Sequence, residues 1–266
     1  PDAHNPYFLY AASNVGSLLA LFAYPVIAEP LSTLCLQVEL WRYGYYLLIV
    51  LIALCGAFVF TRAAAGELRA ATGEAAPSGA TMSYWVALAF VPSALMVAVT
   101  THVTTDVAAA PFLWVLPLSL YLITFILVFS ERRWIPQRLL LKVQPALMAL
   151  VALALALDIR TWLTFDVALH LLFFFVTAMI CHGQMSATRP AAAYLTRFYF
   201  CLSLGGVLGG IFSGLLAPNV FSWIVEYPIL IVAAALARPD FARPQRREGL
   251  IYATLAVLVA IALLPG

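Results

Sequence analysis

Two histidine and aspartate pairs lie beside long apolar runs, where ionisable groups are costly. The first pair, His102 and Asp106, falls in the polar stretch 100–106, Thr-Thr-His-Val-Thr-Thr-Asp. An imidazole and a carboxylate near a bilayer are tolerated when they face a protein interior, water or the lipid headgroups, so they indicate a functional site. If the stretch is helical, the two side chains share one face, since they are four residues apart. A solvent-exposed loop is the alternative.

Asp166 and His170 form the second pair, one helical turn apart and therefore neighbours on one face. A carboxylate beside an imidazole can fix its tautomer, raise its pKa or form part of a proton relay. Three interpretations stay open: a structural hydrogen bond, a proton or cation site, and axial ligation of a porphyrin-type cofactor. His182 lies about 18 Å further along a helix axis, so it cannot share a metal ion with His170 on a straight helix.

Glu226 and Asn14 are isolated polar residues within apolar runs. Glu226 is predicted to lie about seven residues into a membrane span, too deep for its carboxylate to reach the headgroups. It is the strongest single candidate for a functional intramembrane carboxylate, and a hydrogen-bonded structural acid is the alternative. The candidate solute-binding residues are therefore Asn14, His102, Asp106, Asp166, His170 and Glu226.

The same residues do not predict catalysis. No Ser/His/Asp, metal-ligand or paired-carboxylate spacing occurs on one predicted element, although separate helices could assemble such a site. Cys35, Cys55, Cys181 and Cys201 show no CxxC spacing and are expected to act as small apolar residues. We therefore expect no enzymatic activity and no metal site, and leave open whether the chain binds a cofactor.

Membrane helices must position these side chains. Of the 266 residues, 64% are hydrophobic and 10% charged, and the mean hydropathy is +0.99, which excludes a soluble globular protein. A spanning helix needs about 20 apolar residues, and continuous runs of that length favour helices over the short alternating segments of a β-barrel. We predict an all-α bundle of nine spans, at residues 6–29, 41–61, 83–101, 111–130, 139–157, 163–186, 194–217, 219–237 and 249–265.

The segments between the predicted spans are mostly short, with one longer loop. Residues 1–266 are expected to form one integral membrane domain with a flexible cytoplasmic loop at 62–82, whose Ala, Gly, Glu, Pro and Ser content is typical of a linker. Only the turn Ala217-Pro218-Asn219 joins the seventh and eighth spans. A helical hairpin that stays partly in the membrane is the alternative for these two spans.

Basic residues predict the orientation of the chain. Of the 14 Lys and Arg residues, 12 fall in every second connection, and only Arg42 and Arg160 lie on the other side. The positive-inside rule then places the N-terminus in the cytoplasm. The outer side carries two basic and six acidic residues, and a negative vestibule of this kind would attract cations. Removal of basic residues from the outer face by the positive-inside bias is the alternative explanation.

The seventh span is rich in glycine. Glycines four residues apart let the backbone of another helix approach closely, so tight helix packing is the first interpretation. A sliding surface between rearranging helices is the second. The residues concerned are Gly205, Gly206, Gly209, Gly210 and Gly214.

Four segments carry a family resemblance: residues 5–17 (NPYFLYAASNVGS), 100–122 with TTDVA and LWVLP, 181–183 (CHG) and 203–210 (SLGGVLGG). Together they resemble the membrane part of bacterial proteins described as fused major-facilitator and spermidine synthase-like proteins. The resemblance implies a transporter-like bundle in the bacterial inner membrane. Such proteins usually continue into a cytoplasmic aminopropyltransferase-like domain that binds a nucleoside cofactor. This sequence shows no such domain and no strand, Gly-rich turn and helix for a nucleotide, so we expect no polyamine synthesis.

Two functions follow as expectations. The first is a solute-handling membrane domain whose acidic and histidine side chains line an outward-facing cavity and bind a small organic cation such as a polyamine. The second is a non-catalytic structural or accessory subunit that packs against other membrane-protein subunits through its glycine-rich and aromatic faces. In both cases the lipid bilayer surrounds the chain, and nucleic acid is not an expected partner.

Overall fold

The computed structural model of the chain describes residues 7–64, 76–107, 113–130, 134–157, 163–221 and 225–239, together with residues 249 and 256. All regular structure within these ranges is helical, which confirms the all-α prediction. The elements, in chain order, are α1 (Phe8–Ala23), π1 (Tyr24–Ala28), α2 (Glu29–Leu31), α3 (Leu34–Ala64), α4 (Gly79–Thr101), π2 (His102–Val107), α5 (Val115–Phe129), α6 (Gln137–Ala156), α7 (Leu163–Ala187), a 3₁₀ turn (Ala192–Tyr194), α8 (Leu195–Ile211), π3 (Phe212–Leu216), α9 (Ala217–Val220) and α10 (Glu226–Leu236).

Six helical stretches in the described part of the chain are long and apolar enough to cross a membrane. Two further apolar helices are shorter, because α5 has 15 residues and α10 has 11. The predicted ninth span, 249–265, lies outside the described residues except at positions 249 and 256. The chain is thus a multi-pass helical protein by length and composition, and the count of nine spans stays a prediction. The six stretches are Phe8–Leu31, Leu34–Thr61, Gly79–Thr104, Gln137–Ala156, Thr164–Ala187 and Ala192–Val220.

Two predicted connections differ from the structure. The turn predicted at Ala217-Pro218-Asn219 is wrong, because α9 continues the helical path of α8 and π3 as far as Val220. Pro218 lies in the first turn of α9, directly after the π-helical turn π3. The hydrogen-bond spacing changes at this point, so a residue without a backbone N–H is accommodated there. The side chain of Asn219 donates to the carbonyl of Leu215 (2.7 Å), one turn earlier in the helical path.

The predicted loop 62–82 is shorter at both ends in the structure. α3 runs on to Ala64, and α4 already begins at Gly79. Ser78 caps α4, since its hydroxyl accepts a hydrogen bond from the backbone N–H of Thr81 (3.2 Å). Residues 65–75 of this loop lie outside the described residues.

By its internal contacts the chain divides into two compact units, one of residues Pro1–Val15 with Ala76–Gly266 and one of residues Gly16–Ala75. The smaller unit contains the end of α1, then π1, α2 and α3. Its turn between α2 and α3 is stabilised by Gln37, whose side-chain amide donates to the carbonyl of Ser32 (3.3 Å). α3 is apolar over most of its 31 residues.

In the larger unit, α4 and α8 pack with their backbones in contact. A Cβ atom at Gly205 would lie 2.7 Å from Cβ of Ala89, closer than real side chains approach. Ser93 adds a hydrogen bond across the pair, since its hydroxyl donates to the carbonyl of Gly206 (2.8 Å). The close packing predicted for Gly205 and Gly209 is therefore confirmed. It is not seen for the other three glycines, because Cβ atoms there would meet nothing within 4 Å in the described chain; these are Gly206, Gly210 and Gly214.

Buried polar side chains join α6, α7 and the end of α10. The amide of Gln144 donates to the hydroxyl of Thr177 (3.1 Å), and both side chains are fully buried. Arg238 follows α10 and donates to the carbonyl of Leu141 (2.8 Å) and to Oε1 of Gln144 (3.3 Å). The sequence placed Arg238 in a cytoplasmic loop, whereas only 4% of its surface is exposed. The hydrogen bonds to α6 explain why this cation is tolerated there.

Candidate functional site

The larger unit brings three helix ends together. α4 ends at Thr101, and His102 follows as the first residue of π2. α7 begins at Leu163, so Asp166 lies in its first turn and His170 one turn later. α10 begins with Glu226 and Tyr227. By the predicted orientation, this end of the bundle faces the outside.

His102, Asp166 and His170 surround one small volume. Nε2 of His170 lies 3.6 Å from one carboxylate oxygen of Asp166, and Nε2 of His102 lies 3.9 Å from the other. The two imidazole rings are 4.3 Å apart between centroids. One ligand atom from each residue lies within 4.8 Å of the other two. Because 3.6 and 3.9 Å exceed the length of a hydrogen bond, the carboxylate and the two imidazoles face one another across a gap.

Tyr227 orients the inner histidine. Its hydroxyl oxygen lies 2.6 Å from Nδ1 of His170, and both residues are buried. When the hydroxyl accepts the Nδ1–H, the lone pair of Nε2 points towards Asp166. The Tyr227 ring also packs edge-on against the ring of His102, with 5.8 Å between centroids. One tyrosine from α10 therefore positions imidazoles from two other helices.

The three side chains differ in exposure. The side chains of Asp166 and His102 are 15% and 12% exposed, whereas that of His170 is 1% exposed. The carboxylate is therefore more exposed than the inner imidazole.

Of the residues predicted from sequence, the structure brings His102, Asp166 and His170 together. Asp166 and His170 are neighbours as their spacing predicts, and the stretch around His102 is helical, in the π form. The side chain of Asp106 lies outside the described residues. Asn14 is engaged within its own helix, where its amide donates to the carbonyl of Tyr10 (2.7 Å).

The predicted position of Glu226, seven residues into a continuous helix, is wrong. α9 ends at Val220, and Glu226 is the first residue of α10, so it lies at a helix N-terminus and not seven residues into a span. Its side chain is buried, with 6% exposed. An acidic residue is favoured at this end of a helix by the free backbone N–H groups.

Sequence reasoning missed two partners of the buried histidines. Tyr227 was not among the predicted site residues, because its contact with His170 joins residues 57 positions apart and no sequence motif indicates it. Thr124 is the partner of His182, with 2.8 Å between its hydroxyl and Nδ1 of the imidazole. The ring of His182 stacks on Phe125 at 3.8 Å between centroids.

The cluster at the helix ends has the chemistry of a cation or proton site. It offers one carboxylate and two imidazole nitrogens, which can bind a cation or pass a proton. Comparisons of the chain with protein-family models, with curated proteins and with solved structures found no match.

Proposed function

We propose that this chain is a transporter-like membrane domain that binds a small cation at Asp166, His102 and His170. The observation that carries the proposal is the meeting of one carboxylate and two imidazoles within 4.8 Å, at the end of a bundle of apolar helices. A cation that leaves water needs a compensating negative charge and new ligands. Asp166 supplies the charge, and neutral imidazoles supply ligands without adding repulsion.

The wider context supports the same proposal. The excess of acidic residues on the predicted outer side would concentrate cations near this end of the bundle. Ionisable residues at membrane depth usually mark ion or substrate pathways. The proposal includes about nine spans, a cytoplasmic N-terminus and a place in the bacterial inner membrane, as in the fused synthase-like proteins that the sequence resembles. It does not include catalysis.

A role as a structural or accessory subunit is the second candidate, and the open face of α8 favours it. Gly206, Gly210 and Gly214 repeat every four residues, and Cβ atoms at these positions would meet nothing within 4 Å. Val207, on the same stretch, is 58% exposed. A helix of another membrane protein could approach this surface as closely as α4 approaches Gly205.

Flux measurements on the full chain in proteoliposomes test the first candidate. Uptake of radiolabelled spermidine and of Zn²⁺, the latter detected by a trapped fluorescent chelator, is measured under an inside-negative potential. We expect uptake of one of the two, lost in Asp166→Asn. Glu39→Gln is the matched control, because Glu39 is an exposed acid of the smaller unit that pairs with Arg42. Glu226→Gln tests in the same assay whether the buried carboxylate of α10 contributes.

The absence of flux for both cations in the intact chain would refute the transport proposal. If a second membrane protein then copurifies with the chain and Gly210→Leu releases it, the subunit role is the correct one. Equal flux in the intact chain and in Asp166→Asn would show transport that does not use this cluster.

A further inference from the structure

The donor atoms of the cluster point to one class of cation. We infer that His102, Asp166 and His170 bind a divalent first-row transition-metal ion through two Nε2 atoms and a carboxylate oxygen. The inference rests on the proposed function in that it names the cation of the same site. It goes beyond that proposal because it excludes organic cations and alkaline-earth ions as the preferred occupants.

The ligand atoms lie close to the spacing that one shared ion requires. Zinc binds imidazole nitrogen and carboxylate oxygen at about 2.0–2.2 Å, so two ligands of a tetrahedral ion are about 3.3–3.6 Å apart. Nε2 of His170 lies 3.6 Å from one carboxylate oxygen of Asp166, and Nε2 of His102 lies 3.9 Å from the other. One ligand atom from each residue lies within 4.8 Å of the other two, so binding all three to one ion closes the widest separation by up to about 1.5 Å. Rotation of the three side chains can supply a change of this size.

The types of donor atom select the metal. Mg²⁺ and Ca²⁺ prefer sites built of oxygen ligands, whereas imidazole nitrogen suits Zn²⁺, Fe²⁺, Ni²⁺ and Cu²⁺. Two of the three donors here are imidazoles. A site evolved for an alkaline-earth ion would need more carboxylates or carbonyls than this cluster provides.

The hydrogen bond between His170 and Tyr227 is a second and independent observation. A metal-binding histidine almost always uses its other ring nitrogen to donate to an oxygen, which fixes the tautomer and the ring orientation. His170 has such an oxygen at 2.6 Å from Nδ1, the hydroxyl of Tyr227. Its Nε2 atom is then the nitrogen with a free lone pair, and it is the one that faces Asp166.

The number of ligands agrees with an exchangeable ion. Structural zinc sites have four protein ligands, whereas sites with three leave a position for water or a solute. The described residues supply three ligands here, and two of them, Asp166 and His102, are partly exposed. The site would therefore load and release its ion, as the proposed function requires.

Metal binding is tested on the full chain in detergent, after removal of bound metal with a chelator. Zn²⁺ stoichiometry is measured by equilibrium dialysis, and Co²⁺ is titrated while its visible d–d absorption reports coordination. We expect one equivalent of metal, no displacement by excess Mg²⁺, and loss of the Co²⁺ absorption in Asp166→Asn. Tyr227→Phe should keep the stoichiometry and weaken affinity about 10–100-fold. His4→Ala, a histidine outside the described residues, is the control that should bind as the intact chain does.

Several results would overturn the inference: no Zn²⁺ binding by the intact chain, unchanged binding in Asp166→Asn, or loss of binding in His4→Ala. If Asp166→Asn does not fold, Tyr227→Phe decides, since unchanged affinity in that variant contradicts the assigned orientation of His170. The outcomes also separate the two proposals. Zn²⁺ binding without flux refutes transport and leaves the metal site, whereas spermidine flux without Zn²⁺ binding refutes the metal site and leaves transport.

Discussion

Gly209 and Phe90 bring the backbones of α8 and α4 into contact. A Cβ atom at Gly209 would lie 2.6 Å from the carbonyl oxygen of Phe90 and 2.8 Å from the backbone nitrogen of Ala94. Lipid tails are as apolar as the side chains, so helices in a membrane associate through close packing and hydrogen bonds, with little hydrophobic driving force. This glycine contact is therefore a main source of attraction between the two helices.

Gly209→Ala should destabilise the chain, because the new methyl group would force two backbones apart. We expect a loss of about 1–3 kcal/mol in the free energy of unfolding, as for other overpacked sites. Gly210→Ala is the matched control, since a Cβ atom there meets nothing within 4 Å and alanine favours helix by up to about 1 kcal/mol. Unfolding in mixed detergent, followed by circular dichroism, measures both. Equal effects at the two positions would contradict the packing described here.

Thr124→Val should destabilise the core around His182. The substitution keeps the shape of the side chain but removes the hydroxyl that lies 2.8 Å from Nδ1 of the imidazole. A buried polar atom left without its partner costs about 1–3 kcal/mol. Thr61→Val is the control, because Thr61 is exposed and its hydroxyl donates within its own helix to Phe58. If Thr124→Val lowers the free energy of unfolding no more than the control does, the hydrogen bond to His182 does not contribute to stability.

Arg238→Lys should also be costly, although it preserves the charge. One guanidinium nitrogen of Arg238, Nη1, donates to both Leu141 and Gln144, and the nitrogen of a lysine side chain ends one bond short of that position. We expect a loss of about 1–3 kcal/mol in the same unfolding assay. Arg138→Lys, at an exposed position in the first turn of α6, should change stability by less than about 0.5 kcal/mol.

The two ends of α7 should differ in their accessibility to a membrane-impermeant maleimide. In a background without the native cysteines, Thr164→Cys should be labelled in intact cells and Ala187→Cys only after permeabilisation. Both residues are exposed in the structure, so their labelling reports the side of the membrane and not burial. Labelling of Ala187→Cys in intact cells would reverse the predicted orientation.

The length of the continuous apolar runs predicted the helices well, because a spanning helix must satisfy its backbone internally and cover itself with apolar side chains. The boundaries near prolines and π-helical turns were predicted less well. Pro218 suggested a turn, yet the wider π3 turn before it lets the helix continue to Val220. Glu226 was consequently predicted to lie within a helix, whereas it is the first residue of α10. Local sequence does not reveal such changes of hydrogen-bond spacing.

The candidate site was predictable only in part. Asp166 and His170 share a helix face, so their spacing alone made them neighbours. His102, directly after α4, and Tyr227, in α10, join this site because of the way three helices pack. The spacing of residues along the sequence carries no information about that packing. A metal site was therefore not expected from sequence, whereas the packed helices place three suitable ligands together.

The hydrogen bond between His170 and Tyr227 also has a consequence for biogenesis. His170 leaves the ribosome 57 residues before its partner, which at about 5–20 residues per second is a delay of about 3–11 s. During this interval α7 has entered the membrane region while the hydroxyl that satisfies its imidazole is still being synthesised. A polar group without a partner is costly in hydrocarbon, so the N-terminal end of α7 reaches its final stability only when α10 docks. Late insertion of α10 is thus the step that completes the site.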